Sequence, residues 1–212
     1  MNYRIREITI QEARPFVEQW HYSHNTNGIS QRYCFGLFDG DTMIGVSVYA
    51  YIAMSKVWKK YGEREEDVIE LRRLCCIDDT PKNTESYFIA RTIDWLKRNS
   101  TAKIIVSYAD PMYGHKGIVY QASNFTYVGR TSKGRVIRDH TTNKLYHDKT
   151  IRTYYINVQG ERKLKPYAQR LRDKLENGTA EYMNTDGKYI YVYPLNEKSK
   201  EWAQHNKQAQ LL

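Results

Sequence analysis

The sequence has few cysteines and no long apolar segment. Its 212 residues include three cysteines, of which Cys75 and Cys76 are adjacent. This number and spacing fit neither a disulfide framework nor a zinc finger, and the apolar stretch around the pair favours buried structural thiols over a nucleophile. No apolar run approaches the roughly 18 residues that a membrane span needs. The N-terminal residues also lack an apolar signal region, so we expect a cytoplasmic protein without a membrane segment.

Acidic residues are scarce in one part of the chain. Residues 125–174 hold 13 Lys/Arg and 4 Asp/Glu, whereas residues 1–124 hold 16 and 15 and residues 175–212 hold 4 and 5. The segment also contains several tyrosines, and together they predict a surface that binds a nucleic acid. A basic surface that only aids solubility is the alternative. The candidate phosphate contacts are Arg130, Lys133, Arg135, Arg138 and Lys144.

Hydrophobic periodicity predicts an α+β fold. The predicted order is a strand at 3–10, a helix at 11–22 with Pro15 in its first turn, strands at 33–38, 43–52 and 68–77, a helix at 85–97, a strand at 103–108, a helix at 116–122 and a strand at 125–129. Hairpin material follows at 130–157, then a helix at 162–176 and a strand at 188–193. This order resembles the GNAT acyltransferase fold, a mixed central sheet with flanking helices. We therefore predict a GNAT-like core at 1–130 and a basic C-terminal elaboration of the same domain at 131–212.

One GNAT feature is missing. The usual pyrophosphate loop, Arg/Gln-x-x-Gly-x-Gly/Ala before the long helix, is replaced by residues 78–86, Asp-Asp-Thr-Pro-Lys-Asn-Thr-Glu-Ser. A helix N-terminus still binds phosphate through its free N–H groups. Asn83, Thr84 and Ser86 are therefore candidate contacts to an acyl donor, with a plain N-cap role for Asn83 or Thr84 as the alternative.

A dense set of polar, aromatic and glycine positions lies between residues 107 and 129. It reads Ser107-Tyr108-Ala109-Asp110, Gly114-His115, Gly117, Tyr120-Gln121-Ala122, Asn124-Phe125 and Tyr127-x-Gly129. Weaker matches lie upstream at Trp20-His21-Tyr22, at Glu70-Leu71-Arg72-Arg73-Leu74 and at Asn83-x-x-Ser86. Over residues 16–130 this pattern resembles the Mom family of phage DNA-modification proteins.

The resemblance implies a phage or prophage enzyme, acting in a bacterial host, that protects DNA from restriction. Such an enzyme adds a carbamoylmethyl group to N6 of adenine in duplex DNA. The fold implies acetyl-CoA as donor, and an aminoacyl or glycine-derived donor remains open. The family also suggests a bound iron, for which His21, His115 and Asp110 are a conceivable ligand set.

The chemistry of an adenine amine indicates which residues the site needs. Its lone pair is delocalised into the ring, so catalysis requires a proton acceptor and a donor for the oxyanion. Asp110 follows an apolar strand and is the natural acceptor, although a cap or turn role is the alternative. We expect Asp110 to share one cleft with His21, Tyr22, Tyr120 and one of Arg72 and Arg73, which alternate on a strand. Tyr120 either hydrogen-bonds the leaving group or only packs.

The target amine lies inside the base stack, so the adenine must be flipped out of the duplex into the cleft. Such a cleft needs an aromatic wall. Tyr108, Tyr113, Tyr120 and Phe125 surround Asp110 in the sequence and are the candidates, with core packing as an equal explanation of Phe125.

Three other functions remain as alternatives. Asp110-Pro111-Met112-Tyr113 resembles the Asp-Pro-Pro-Tyr motif of N6-adenine methyltransferases, but Phe35-Gly36-Leu37-Phe38 does not supply the Phe-x-Gly-x-Gly donor loop of that class. A GNAT enzyme that acts on tRNA, a peptide or a small amine is the second. The third is a non-enzymatic nucleic-acid-binding protein, in which Asp110 would be dispensable.

Overall fold

The computed structural model describes residues 3–208. They form two compact units, of which the first comprises the chain up to Arg130 and from Lys188 onwards, and the second is Thr131–Gly187. We predicted that the core ends at residue 130. In the structure, the chain from Lys188 onwards also belongs to the first unit. Within residues 3–208, no helix is long and apolar enough to cross a membrane.

The chain contains twelve strands and five α-helices within the described range. In chain order they are β1 Arg4–Glu7, α1 Ile10–Trp20, β2 Gln31–Asp39, β3 Thr42–Ala50, β4 Val68–Cys76, α2 Thr84–Asn99, β5 Ile104–Ala109, α3 Ile118–Ala122, β6 Thr126–Arg130, β7 Gly134–Asp139, β8 Leu145–His147, β9 Tyr154–Ile156, β10 Arg162–Leu164, α4 Pro166–Glu176, β11 Ala180–Thr185, β12 Tyr189–Pro194 and α5 Glu197–His205.

The first unit is built on a seven-stranded mixed sheet in the order β1-β2-β3-β4-β5-β12-β6. Neighbouring strands are antiparallel except β4 and β5, which are parallel. The last strand, β12, lies between β5 and β6 and pairs with both. The sequence predicted this strand, but its place inside the central sheet is a finding of the structure.

Helices α1 and α2 cover opposite faces of this sheet. Along β3 the side chains alternate, so that Val48 packs in the cluster with α1 and Tyr49 packs in the cluster with α2. The apolar stripe of α2 is buried as the sequence predicts, through Phe88, Ile89, Ile93 and Leu96.

Helix α1 departs from its predicted form in two details. It begins earlier than predicted, because Thr9 caps it: the Thr9 hydroxyl accepts from the Glu12 N–H at 3.2 Å, and the Glu12 carboxylate accepts from the Thr9 N–H at 2.7 Å. Pro15 is therefore inside the helix and not in its first turn. Trp20, which has the spacing of a core residue, is exposed at the C-terminal end.

The parallel strands β4 and β5 pair over three positions only. The paired residues run from Val68 opposite Ile104 to Glu70 opposite Val106. Strand β4 continues to Cys76 and β5 to Ala109, so the two strands diverge beyond this point. Where they separate, the Ser107 hydroxyl donates to the Leu71 carbonyl oxygen at 3.2 Å. The divergence opens the centre of the sheet at the carboxyl ends of both strands.

The second unit contains a three-stranded sheet in the order β11-β7-β8 and a separate hairpin of β9 and β10. Its small core joins Ile137, Leu171 and Ala180, so α4 packs on the three-stranded sheet. The helix predicted from residue 162 begins at Pro166, because residues 162–164 form β10.

Candidate active site

The histidine that follows α1 is buried and electrically neutral. His21 Nδ1 accepts a hydrogen bond from the Ser23 N–H at 3.1 Å and lies 2.8 Å from the Ser23 hydroxyl. Burial, together with the positive charge of Arg73, lowers the pKa of His21 to about 3. Because Nδ1 accepts from a backbone N–H, the neutral ring carries its proton on Nε2. His21 is thus a hydrogen-bond donor through Nε2.

Next to His21 lies a set of aromatic rings that pack at tilted angles and are partly open to solvent. The Tyr22 ring centroid is 4.3 Å from that of His21, 4.7 Å from that of Tyr113 and 4.8 Å from that of His115. Tyr22 is 42% exposed and Tyr113 is 47% exposed. Large aromatic faces left partly in water at the end of a β-strand are typical of a ligand-binding surface. We call these four residues the aromatic cluster.

Asp110 lies directly beyond β5, beside the aromatic cluster. One carboxylate oxygen accepts from the Met112 N–H at 3.1 Å, and the other lies 3.1 Å from Lys188 Nζ. Its side chain is largely buried. Partial burial and the negative charge of Asp110 raise the pKa of the Tyr22 phenol. Asp110 therefore caps the turn at 111–113, which is the cap role given above as the alternative to catalysis. Its charge also acts on Tyr22 of the aromatic cluster.

A β-bulge at Arg72 separates the roles of the two arginines of β4. Val48 of β3 pairs with Arg73 and the next residue pairs with Leu71, so Arg72 is the extra residue. The expected strict alternation of Arg72 and Arg73 is therefore interrupted. Arg73 donates through Nε to the Asn25 carbonyl oxygen at 3.0 Å, and its charge acts on His21 and Tyr22. Arg72 instead lies 3.6 Å from the Glu70 carboxylate.

Tyr120 packs against the hydrophobic core instead of joining the exposed rings. Its ring packs 5.5 Å from both Phe125 and Tyr191, and its hydroxyl bonds to Ser107 at the divergence of β4 and β5. Burial raises the pKa of Tyr120 to about 12. Of the expected aromatic wall, only Tyr113 belongs to the exposed cluster. Phe125 lies in the core, and Tyr108 is half-buried and hydrogen-bonds to Tyr61.

Two charged residues join this region without having been predicted. Lys188 is the partner of Asp110, although 78 positions separate them in the sequence. Glu70 is the last residue of β4 that pairs with β5; its carboxylate accepts from the Ala53 N–H at 3.1 Å, and burial raises its pKa. Glu70 belongs to a motif noted in the sequence, whereas nothing around Lys188 distinguishes it from a surface lysine.

Two of the three residues predicted to bind an acyl donor line a cavity beside α2. Asn83 and Ser86 line this open cavity of about 330 Å³, together with residues at the end of α3 and on β12. Thr84 is buried and its hydroxyl donates to the Pro81 carbonyl oxygen at 2.7 Å. Asn83 occupies the N-cap position in a left-handed conformation, φ 71°, and among residues 3–208 its side chain makes no capping hydrogen bond. The full lining is Asn83, Ser86, Tyr87, Ala90, Ile93, Asp94, Ala122, Ser123, Asn124 and Tyr193.

The structure gives no support to the iron site. Among the described residues, no three His, Cys, Asp or Glu side chains are placed to hold a metal ion. The set considered in the sequence does not form a ligand group, since the Tyr22 ring packs against both His21 and His115. The residues present therefore do not fit an iron centre.

The predicted phosphate contacts fall in both units. Arg130 ends β6 in the first unit, where its guanidinium lies 4.2 Å from the centroid of the Tyr189 ring. The other four lie in the second unit. Arg135 and Arg138 are on β7, where side-chain alternation puts them on opposite faces. Lys133 precedes β7, and Lys144 lies between β7 and β8.

Comparison with known sequences identifies a family that matches nearly the whole chain. The family model described as the Mom protein family matches residues 2–210. A curated relative, the methylcarbamoylase mom of Escherichia phage Mu, is 29% identical over 129 residues. That match covers 59% of this chain and 53% of the relative, so the chain spans about half the length of the relative it matches.

Comparison with solved structures identifies the fold. An acetyltransferase of Bacillus subtilis in complex with CoA is similar with a TM-score of 0.50 and 14% identity, over 92% of this chain and 100% of that one. Arabidopsis thaliana NAA60 in complex with acetyl-CoA is similar with a TM-score of 0.50 and 9% identity, again over 92% of this chain and 100% of that one. The mixed sheet with diverging central strands is thus the GNAT fold, as predicted. This fold does not support the methyltransferase alternative.

Proposed function

The chain is a member of the Mom protein family, and from this premise we propose that it transfers a carbamoylmethyl or related acyl-derived group to N6 of adenine in DNA. Such a modification would hide phage DNA from restriction enzymes. The observation that carries the proposal is the position of Asp110, whose carboxylate lies at the end of β5 against exposed aromatic rings and beside Lys188.

Asp110 is the group that would accept the proton of the amine. In the transfer of an acyl group, a bond forms between N6 and the carbonyl carbon of the donor, the bond from that carbon to the leaving group breaks, and N6 loses a proton. A carbamoylmethyl group would instead be joined through its methylene carbon, with the same loss of a leaving group from the donor and of a proton from N6. A carboxylate within hydrogen-bonding reach of the amine can take that proton. Its pairing with Lys188 and with the Met112 N–H fixes the orientation of its oxygens.

Positive charge and a hydrogen-bond donor lie beside the Tyr22 ring, on which the charge of Asp110 also acts. Arg73 bears a charge that acts on both His21 and Tyr22. His21 remains neutral and carries a proton on Nε2, because Nδ1 accepts from Ser23. Groups of this kind stabilise negative charge that develops on an acyl oxygen, provided that they are held in place before the reaction. The backbone carbonyl of Asn25 holds Arg73 in this way.

The aromatic cluster is suited to receive the adenine base. An exposed tyrosine face contributes about 1–3 kcal/mol when a base stacks on it. Tyr22 and Tyr113 are 42% and 47% exposed and so leave part of their ring surface open to a base, and the charge of Asp110 acts on Tyr22. A base that stacks on them would have left the duplex, since base-modifying enzymes reach a paired base only after flipping it.

The cavity beside α2 is the candidate site for the donor. The N-terminus of a 16-residue helix carries partial positive charge, and Asn83 and Ser86 line the cavity there. When bound, the donor supplies the activated carbon. Structural relatives bind CoA and acetyl-CoA, which favours an acyl-CoA. Asp78 and Asp79 precede the helix and Lys82 is the one basic residue of that loop, which favours a less anionic donor such as an aminoacyl compound. Comparing acetyl-CoA with an aminoacyl donor by calorimetry decides between them.

DNA is the proposed partner, and the basic second unit is the proposed contact surface. The 57 residues of this unit carry 12 Lys/Arg and 7 Asp/Glu, a net charge of +5. Cations of this density release counterions from the phosphate backbone and give affinity without reading the sequence.

The test of the proposal is the Asp110→Asn variant. We expect it to bind duplex DNA as the wild type does, because the second unit is unchanged, and to leave adenine unmodified, because the amide cannot accept a proton. Binding is measured by gel shift. Modification is measured by the mass of adenine nucleosides digested from the DNA of expressing cells.

The matched control is Asp41→Asn, which removes a fully exposed carboxylate from the turn between β2 and β3. It should behave as the wild type in both assays. Full modification by the Asp110→Asn variant would show that Asp110 is not the base. If the wild type leaves DNA adenine unchanged but alters tRNA, a peptide or a small amine, a related acyltransferase function replaces this one.

A further inference from the structure

The hairpin of β9 and β10 has a stiff tip. The Asn157 side-chain oxygen accepts from the backbone N–H groups of Gln159 at 3.1 Å and Glu161 at 2.8 Å. The Asn157 N–H donates to the Glu161 carbonyl oxygen at 2.9 Å, and Gly160 supplies a left-handed residue with φ 79°. Three hydrogen bonds to one asparagine hold these five residues in a single conformation.

This stiff tip presents apolar side chains to water. Val158 is 100% exposed and Ile156 is 75% exposed. Single exposed apolar residues are ordinary on a protein surface. Here Val158 stands on the tip and Ile156 ends the adjoining strand β9, and β-branched side chains such as these have few rotamers. Val158 and Ile156 are therefore exposed apolar side chains held in a defined position.

The base of the hairpin is fixed to the rest of the second unit. The Lys165 N–H donates to the Thr153 carbonyl oxygen at 2.9 Å. Arg172 of α4 donates to the Ile151 carbonyl oxygen at 2.8 Å and to the Tyr154 hydroxyl at 3.3 Å. These hydrogen bonds attach the base of the hairpin to α4.

The segment that contains the hairpin is strongly basic. Residues 149–172 hold seven Lys/Arg and one Asp/Glu, a net charge of +6. The single acid, Glu161, pairs with Lys163 at 2.9 Å. Exposed apolar side chains on a basic segment are complementary to a polyanion with an apolar interior. Duplex DNA is such a partner, because its phosphates lie outside and its stacked bases lie inside.

We propose that Val158, supported by Ile156, is a wedge that enters duplex DNA between neighbouring base pairs and unstacks them. This inference rests on the proposed function, since it supplies the distortion that flipping a base requires. Proteins that bend or open DNA insert apolar side chains in this manner, and β-branched residues are among those used.

The experiment uses the full chain and a duplex that contains 2-aminopurine, whose fluorescence rises when it unstacks. Wild-type protein should raise the fluorescence. Val158→Ser should reduce this rise by roughly tenfold, because a small polar residue cannot replace a base in the stack. On a duplex with an abasic site, where the stack is already open, the variant should bind within about twofold of the wild type. Val158→Leu should retain the effect.

Gln159→Ala is the matched control, since it alters the same tip, removes no apolar surface and retains the backbone N–H bond to Asn157. An equal fluorescence rise with wild type and Val158→Ser overturns the wedge. The same holds if Val158→Ser leaves DNA behaviour unchanged but releases a bound protein, which would make the tip a protein contact. Adenine modification by the wild type tests the proposed function separately. Failure of the wedge hypothesis can therefore be distinguished from failure of the proposed function.

Discussion

The buried histidine of the site makes the stability of the protein depend on pH. His21 has a pKa of about 3 in the folded protein and an ordinary value of 6.5. Below about pH 6.5 the unfolded chain binds a proton at this residue and the folded protein does not, so the free energy of unfolding falls as the pH is lowered towards 3.

We expect a slope of about 1.4 kcal/mol per pH unit from this residue alone. His21→Gln removes that contribution, so urea denaturation between pH 7 and pH 4.5 should show a shallower loss of stability than in the wild type. His205→Gln, at an exposed position on α5, serves as control. Parallel curves for wild type and His21→Gln would mean that His21 is protonated in the folded state.

A second prediction concerns Lys188. Removing its ammonium group in Lys188→Met takes away the partner that orients Asp110 at 3.1 Å. Adenine modification should slow by about tenfold, in the range that misplacing a general base produces, while DNA binding is unchanged. Lys188→Arg should restore part of the rate. Lys198→Met breaks an exposed pair with Glu63 at 2.6 Å and should have no effect on the rate.

Single residues of the site were predictable where a motif contained them. His21, Tyr22, Arg73 and Asp110 stand in the sequence motifs on which the predicted resemblance was based, and in the structure Arg73 acts on His21 and Tyr22 and Asp110 acts on Tyr22. Lys188 was not predictable, because its pairing depends on where β12 lies in the sheet. The interpretation of Cys75 and Cys76 as structural thiols agrees with their burial, which raises the pKa of each to about 12.

At the scale of elements, the start of α3 depends on one glycine. Gly117 has φ 76°, and a Cβ added there would overlap the ring of Tyr191, which is buried and donates to the Lys116 carbonyl oxygen at 2.6 Å. Gly117→Ala should lower the free energy of unfolding by about 2–4 kcal/mol, because it combines backbone strain with overpacking.

Gly114→Ala provides the comparison. Gly114 has φ 75°, and an added Cβ would meet no atom within 4 Å. The Gly114→Ala variant should lose only the contribution of backbone strain, about 1 kcal/mol of the free energy of unfolding. Thermal or urea denaturation of the two variants separates the effects, and equal losses would show that Tyr191 yields to the new methyl group.

Elements with a clear apolar pattern were predicted, and those without one were not. The strands and helices of the central sheet have alternating or helical stripes of buried residues, so their order and the fold class were predicted and are confirmed. Helix α5 buries only Ser199 and Ala203, and β11 buries only Ala180, so neither has a pattern to detect. The bulge at Arg72 depends on pairing with β3 and leaves no trace in the sequence.

At the scale of the whole molecule, the uneven charge predicts how DNA binding responds to salt. Replacing Lys133, Arg135 and Arg138 together should weaken binding and reduce the slope of log affinity against log salt by up to about one per lost phosphate contact. Arg135 and Arg138 lie on opposite faces of β7, so the single variants should differ if one face meets the DNA.

Replacing Lys59, Lys60 and Lys198 removes an equal charge from the first unit, whose 155 residues hold 21 Lys/Arg and 17 Asp/Glu. This control should leave the slope closer to that of the wild type. DNA affinities measured between about 50 and 200 mM salt give the slopes of both variants. If the second-unit variant keeps the wild-type slope, the basic segment serves only solubility.

The second unit leaves the central sheet at Arg130 and returns to it at Lys188, and the flanking strands β6 and β12 are an antiparallel pair in which Arg130 stands opposite Tyr189. In topological terms, the unit is a hairpin loop enlarged to a folded body of 57 residues. A loop whose ends are already joined by the sheet can change length and content at little entropic cost. The GNAT-fold core can therefore accept a different insertion at this point, while the strands of the central sheet keep their register.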